Sequence, residues 1–144
     1  MDEKRGRFYN ESKNPNPDGH PLQTTRRAPP PPPPTQPPPV LPGFGVYGSV
    51  SPDAVAAALD AHPAARCVIL TSPTYEGVQS DITTIAGLCH ARGVPLLVDE
   101  AHGTHYLPLA GPFGWQGGAV EAGADLVGQS AHKTLPSLTQ TAWL

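Results

Sequence analysis

The chain has 144 residues, 20 of them proline and 15 glycine, and a formal net charge of −3, which bounds it to about one ordinary domain. The charge is uneven: residues 1–42 hold six basic and four acidic residues, and the remainder three basic and eight acidic ones. A folded part so poor in Lys and Arg is a weak match for a phosphate backbone, whose binding rests on clustered cations, so no nucleic-acid partner is expected.

The start, MDEKRGRFYN, lacks the apolar core of a secretory signal, and its early acidic residues argue against a transit peptide. No apolar run approaches the roughly 18–20 residues of a membrane helix. The expected setting is the cytoplasm, with no membrane partner; a plastid is the alternative compartment. Thirteen of the prolines lie in residues 1–42, and PPPPPPTQPPP at 29–39 can form neither helix nor internal strand, because each Pro lacks a backbone donor and fixes φ. Residues 1–42 are expected to be a disordered, Pro-rich leader, and residues 43–144 a domain. Within the leader, residues 28–42 could seat as preformed polyproline II in an SH3, WW or profilin-like groove, an interaction-module reading set against that of a plain linker.

VSPDAVAAALDAHP opens with Ser51 as N-cap, Pro52 at the first helical position and Asp53 complementing the dipole, and Pro63 stops the helix. Its apolar side reads Val55, Ala58, Leu59 and His62. RCVILT (66–71) is short, apolar and β-branched, which predicts a strand buried on both faces. After the turn SPTYEGV a helix starts near Ser80 or Asp81, with Ile82, Ile85, Ala86 and Cys89 at helical spacing and Gly93 closing it. VPLLVDEA predicts a second buried strand, and strand, helix and strand in this order make a right-handed βαβ unit. Residues 103–118 are Gly/Pro-rich, GAVEAGA is a short helix at best, DLVGQSA is a third strand, and TQTAWL begins another extended element. Cys67 and Cys89, with no spacing motif, read as reduced core thiols. The fold class is α/β, part of a three-layer αβα architecture with a mostly parallel sheet, and it reads as the middle of a larger domain.

In such sheets the working groups collect at the carboxyl ends of strands. Those ends are TSPTY, DEAHGTH and QSAHK. The DEAH tetrad alone suggests a helicase, but no G-x-x-x-x-G-K-[ST] loop accompanies it, and Lys4, Lys13 and Lys133 are the only lysines. Asp99, Glu100, His102 and His105 match no standard metal-ligand spacing, so no metal is expected. A pyridoxal 5′-phosphate (PLP) site needs a lysine for a Schiff base and a carboxylate to hold the proton on the ring nitrogen. Lys133 and Asp99 supply both at two strand ends, and Ser130 and His132 flank the lysine within reach of phosphate oxygens. A carboxylate buried at the end of an apolar strand is costly without a partner, which makes Asp99 hard to read as incidental.

TSPTYEGVQSDITTIAGLCHARGVPLLVDEAHGTHY and GADLVGQSAHKTLPSLTQTA, at this separation, resemble the large domain of the Orn/Lys/Arg decarboxylase family, of the PLP-dependent aspartate-aminotransferase-like fold. The resemblance covers residues 43–144. It implies that Lys133 carries the cofactor, Asp99 pairs with its ring nitrogen, Ala101 packs near the ring, His102 approaches its phenolic oxygen, and Ser130 with His132 holds the phosphate. It further implies a basic amino-acid substrate (lysine, arginine or ornithine), release of CO₂ and a homodimer in the full-length family. Gly128 and Pro136 depart from the usual pattern around the lysine. Because family members carry a phosphate loop ahead of this segment and a domain after it, the chain is expected to be a fragment, inactive or nearly so alone. The nearest enzyme alternative is an aminotransferase or oxoamine synthase of the same fold, from which SAHKTLPSLTQ separates it.

Overall fold

Ser51, extended at ψ 148°, turns the chain into the first helix, α1 (Pro52–Ala61), and its Oγ accepts the Ala54 N–H at 3.2 Å. That side chain satisfies one of the donors a helix start leaves open. This computed structural model describes residues 34, 35, 37–109 and 117–144, so the expected leader over 1–42 lies largely outside the described residues. Thr35–Leu144 form one compact unit.

From α1 the chain runs through β1 (Val68–Thr71), α2 (Ile82–His90), β2 (Leu96–Asp99), a 3₁₀ turn (Thr104–Leu109), β3 (Leu126–Ser130), a single helical turn α3 (Ala131–Thr134) and β4 (Ala142–Trp143). Strand order is β1-β2-β3-β4, with the first three parallel and β4 antiparallel to β3. Strand, helix, strand with parallel pairing is the βαβ unit read from the sequence.

The helix α2 forms because Ile82, Ile85, Ala86 and Cys89 recur at helical spacing and all four are buried. Asp81 caps it: Oδ1 accepts the Thr84 N–H at 3.0 Å and Oδ2 the Thr84 hydroxyl at 2.7 Å. Gly93, at φ +66°, reverses the chain beyond the helix, a conformation that strains any residue with a Cβ. Asp125 then sets the start of the next strand, since its Oδ2 accepts from the Leu96 N–H at 2.8 Å and contacts His90 Nε2 at 3.0 Å. That backbone bond, with His90 second, holds the Asp125 carboxyl below the usual range.

Register explains which side chains are inside. Leu70, Val98 and Val127 stand in one row across the sheet and join Val55, Leu59, Ile82, Ile85 and Cys89 in a single apolar core. The neighbouring row, Ile69, Leu97 and Leu126, points the other way, and Ile69 is 70% and Leu126 41% exposed. The described residues thus show the sheet and one helical layer of the expected three-layer fold.

Three expectations need correcting. β1 is buried on one face, not two, because α1 and α2 pack on the Leu70 side; an apolar run of four residues carries no period that separates the cases. Cys67 is exposed and precedes the strand, whereas Cys89 is buried and its burial pushes the thiol up. His62 is exposed and lies past the helix end, its N–H closing on the Ala58 and Leu59 carbonyls.

Candidate functional site

The carboxyl ends of β1, β2 and β3 lie side by side, with Thr71, Asp99 and Gly128 in one row. Asp99 is held through its own backbone, because its carbonyl accepts the Ser72 N–H at 3.1 Å while the next amide, that of Glu100, donates to the Gly128 carbonyl at 2.8 Å. Its side chain is exposed, not buried as the sequence suggested; Oδ1 accepts the Ala101 N–H at 3.1 Å, and Oδ2 takes no hydrogen bond among the described residues. Alternation explains the difference: Asp99 continues the Ile69–Leu97 side of the sheet, which no helix covers among the described residues, and Glu100 faces inward.

Asp99, Ala101 and Ser130 line one shallow depression of about 380 Å³, together with Gly128, Gln129, Ala142, Trp143 and Leu144. Space above Gly128 is open, with nothing within 4 Å of where a Cβ would stand, so this departure from the family's pattern leaves room beside Asp99. Ser130 is the N-cap of α3 and its side chain makes no cap bond, while its carbonyl accepts the Thr104 hydroxyl at 3.2 Å. Its hydroxyl is not committed to the helix start.

The remaining sequence candidates, Lys133, His132 and His102, do not line this depression. Lys133, in α3, is exposed and makes no hydrogen bond or ion pair among the described residues. His132 is half-buried with Nδ1 3.1 Å from the Thr141 carbonyl, which fixes one ring nitrogen and leaves Nε2. His102 meets the exposed ring of Tyr75 edge-on at 5.1 Å. Pro136 ends α3: Leu135 before it is extended at φ −118°, ψ 157°, as a residue ahead of proline must be. Among the described residues no three of His, Cys, Asp and Glu gather to hold a metal ion.

Two features were missed in the sequence. Thr134 Oγ1, beside Lys133, is buried with no hydrogen-bond partner among the described residues. Glu100 is 2% exposed, and its Oε1 accepts the Ala119 N–H at 2.8 Å while Oε2 accepts Gln129 Nε2 at 2.6 Å. The PLP reading of Asp99 and Lys133 leaves Glu100 without a role. GAVEAGA, expected to be a short helix at best, forms turns and no helix; the alternation along β2 was the available signal, and it does not say which face the helices cover.

Burial pushes the Glu100 carboxyl above the usual carboxylate range; the bonds from Gln129 and Ala119 pull against it, Glu121 adds to the rise and His105 opposes it. The folded chain therefore binds this proton more tightly than the unfolded one, and stability falls as pH rises from the ordinary glutamate value through that of Glu100. Thermal melts across that interval are expected to show a steeper loss in the wild type than in Glu100→Gln, which has no proton to lose. Equal slopes contradict the assignment.

A mostly parallel sheet with a carboxylate at one strand end and a lysine just beyond the next is the framework of a PLP-dependent transferase-like large domain. Residues 42–144 match the model of the Orn/Lys/Arg decarboxylase major domain, and the chain belongs to that family. It is 43% identical over 108 residues to the arginine decarboxylase of Halalkalibacterium halodurans, covering 72% of this chain and 20% of that protein. The arginine decarboxylase of Bacillus subtilis is 39% identical over 105 residues, 69% of this chain and 20% of its own length. An uncharacterized Bacillus subtilis protein, YaaO, is 49% identical over 87 residues, 60% of this chain and 18% of its own. The chain spans about a fifth of the length of these relatives. No helix among the described residues is long and apolar enough to cross a membrane.

Proposed function

We propose that residues 43–144 supply the cofactor-holding part of a PLP-dependent decarboxylase of a basic amino acid. Of lysine, arginine and ornithine, arginine is favoured by the names of the relatives. One observation carries the reading: Asp99 and Ser130 end neighbouring parallel strands and line the same depression, and Lys133 follows Ser130 in the next helical turn.

The residues present fit such a cofactor. The open space at Gly128 leaves room for a flat ring, and the uncommitted Asp99 Oδ2 stands beside it as an acceptor. Bound there, PLP supplies an electron-accepting ring that makes loss of CO₂ from an amino acid's α-carbon feasible. Asp99 holds the proton on the ring nitrogen, which keeps that ring electron-poor. Lys133 Nζ is the attaching amine, the only lysine in residues 43–144. Ser130 Oγ and His132 Nε2 are donors for the phosphate, His102 for the phenolic oxygen, and Ala101 bounds the ring. Asp99 and Lys133 are both exposed in this chain, so it excludes water poorly, and alone it is expected to be inactive or nearly so. The homodimer expected of the family belongs to the same proposal.

The test grafts residues 43–144 into the Bacillus subtilis arginine decarboxylase in place of its matching segment and supplies carboxyl-labelled arginine, lysine or ornithine with PLP. Release of labelled CO₂ is expected, with arginine preferred. Keto acid formed without CO₂ points instead to an aminotransferase.

A further inference from the structure

Glu100 is the one buried acidic side chain among the described residues, at 2% exposed, and it sits next to Asp99. Because Asp99 pairs with Gly128 across β2 and β3, Glu100 and Gln129 come next in register and share the opposite, helix-covered side. Their side chains meet there, Gln129 Nε2 donating to Oε2 at 2.6 Å, and the other carboxylate oxygen accepts the Ala119 N–H at 2.8 Å. Gly103 and Gly118 make the space: a Cβ at Gly103 would fall 2.5 Å from Glu100 Cγ, and one at Gly118 3.3 Å from Oε2.

An apolar side chain would fill this position at lower desolvation cost. What it could not do is accept two hydrogen bonds that come from two different parts of the chain. We propose that Glu100 is a positioning residue of the candidate cofactor site. From beneath the sheet its carboxylate ties the end of β2 to β3 and to the 118–119 turn, and so sets the spacing of Asp99 and Ser130 above it. This rests on the reading of Asp99 and Ser130 as cofactor residues. Gln at position 100 keeps one acceptor, and the Gln129 amide can turn over to meet its donor, so Glu100→Gln conserves the tie; Glu100→Leu conserves only volume.

The test is NMR with amide hydrogen exchange on the 144-residue chain, without PLP. In Glu100→Leu, exchange at the Ala119 amide is expected to speed up about 10–100-fold as local opening becomes easier. The resonances of Ala101, Gly128 and Ser130 are expected to move, while those of Val55 and Leu59 stay. Glu100→Gln is expected to restore the wild-type pattern. If Glu100→Leu does not fold, Gln129→Leu, which removes one arm, is expected to move the same three resonances. The proposal is overturned if Ala101 and Ser130 keep their wild-type resonances in the folded variant, or if Glu100→Gln behaves like Glu100→Leu. No cofactor is present in these samples, so a negative result removes the brace and leaves the assignment of Lys133 and Asp99 standing. Loss of cofactor attachment at Lys133 would do the reverse.

Discussion

Lys133→Ala is expected to abolish CO₂ release in the grafted decarboxylase, by ~10⁴-fold, the scale on which removing a covalent nucleophile acts, while leaving the stability of the PLP-free chain almost untouched. The combination is what identifies the residue. Lys133 is exposed and makes no hydrogen bond or ion pair among the described residues, so its truncation costs no packing. A surface substitution of that kind changes stability by about 0.5 kcal/mol or less. An unchanged melting curve with activity lost places Lys133 in the chemistry. Activity retained within tenfold would leave the lysine as a solvated surface residue.

Gly103→Ala is expected to be the most damaging small substitution in the described chain. The added methyl would lie 2.5 Å from Glu100 Cγ, 2.9 Å from Pro73 Cδ and 3.0 Å from Tyr106 Cδ2. None of these is the free end of a flexible chain: Glu100 is held at both oxygens, Pro73 is a ring, and Tyr106 is 8% exposed. Overpacking of this kind costs about 3 kcal/mol, which lowers Tm by about 10 °C or more in a domain this size. The control is Gly87→Ala, in the exposed middle of α2 with nothing within 4 Å of its Cβ position. There alanine is expected to stabilise by about 0.5–1 kcal/mol, through helix propensity alone. Thermal melts of the two variants should move in opposite directions; a Gly103→Ala protein as stable as wild type contradicts the packing described around Glu100.

Where the sequence was legible, it was because periodicity had length to work with. Nine residues of α2 suffice to show which side is apolar, and Ser51 and Asp81 mark helix starts by chemistry that acts within three residues. The parallel pairing of β1 with β2 followed from a helix of that length between two apolar runs. What stayed hidden depends on partners far along the chain. Ile69 and Leu70 are equally apolar, and only the position of α1 and α2 decides that Leu70 is inside. The same uncertainty runs one strand further, where Asp99 and Glu100 are adjacent carboxylates on opposite faces. The expectation buried the first; the fold exposes it and buries the second, satisfied by Ala119 and Gln129 from 19 and 29 residues away. Chemistry picked Asp99, Ser130 and Lys133 as candidates because a cofactor demands those groups, but no spacing rule could reveal that Lys133 stays outside the depression the other two line.

Lys133 is proposed as the attaching amine of a PLP site, and the chain's composition offers a direct measurement. Lys4, Lys13 and Lys133 are its only lysines. Incubating the 144-residue chain with PLP, reducing with borohydride and mapping the adduct by mass spectrometry is predicted to place it at Lys133, with much less in the same chain carrying Asp99→Ala. Labelling spread evenly over the three lysines, unaffected by Asp99→Ala, would contradict the account.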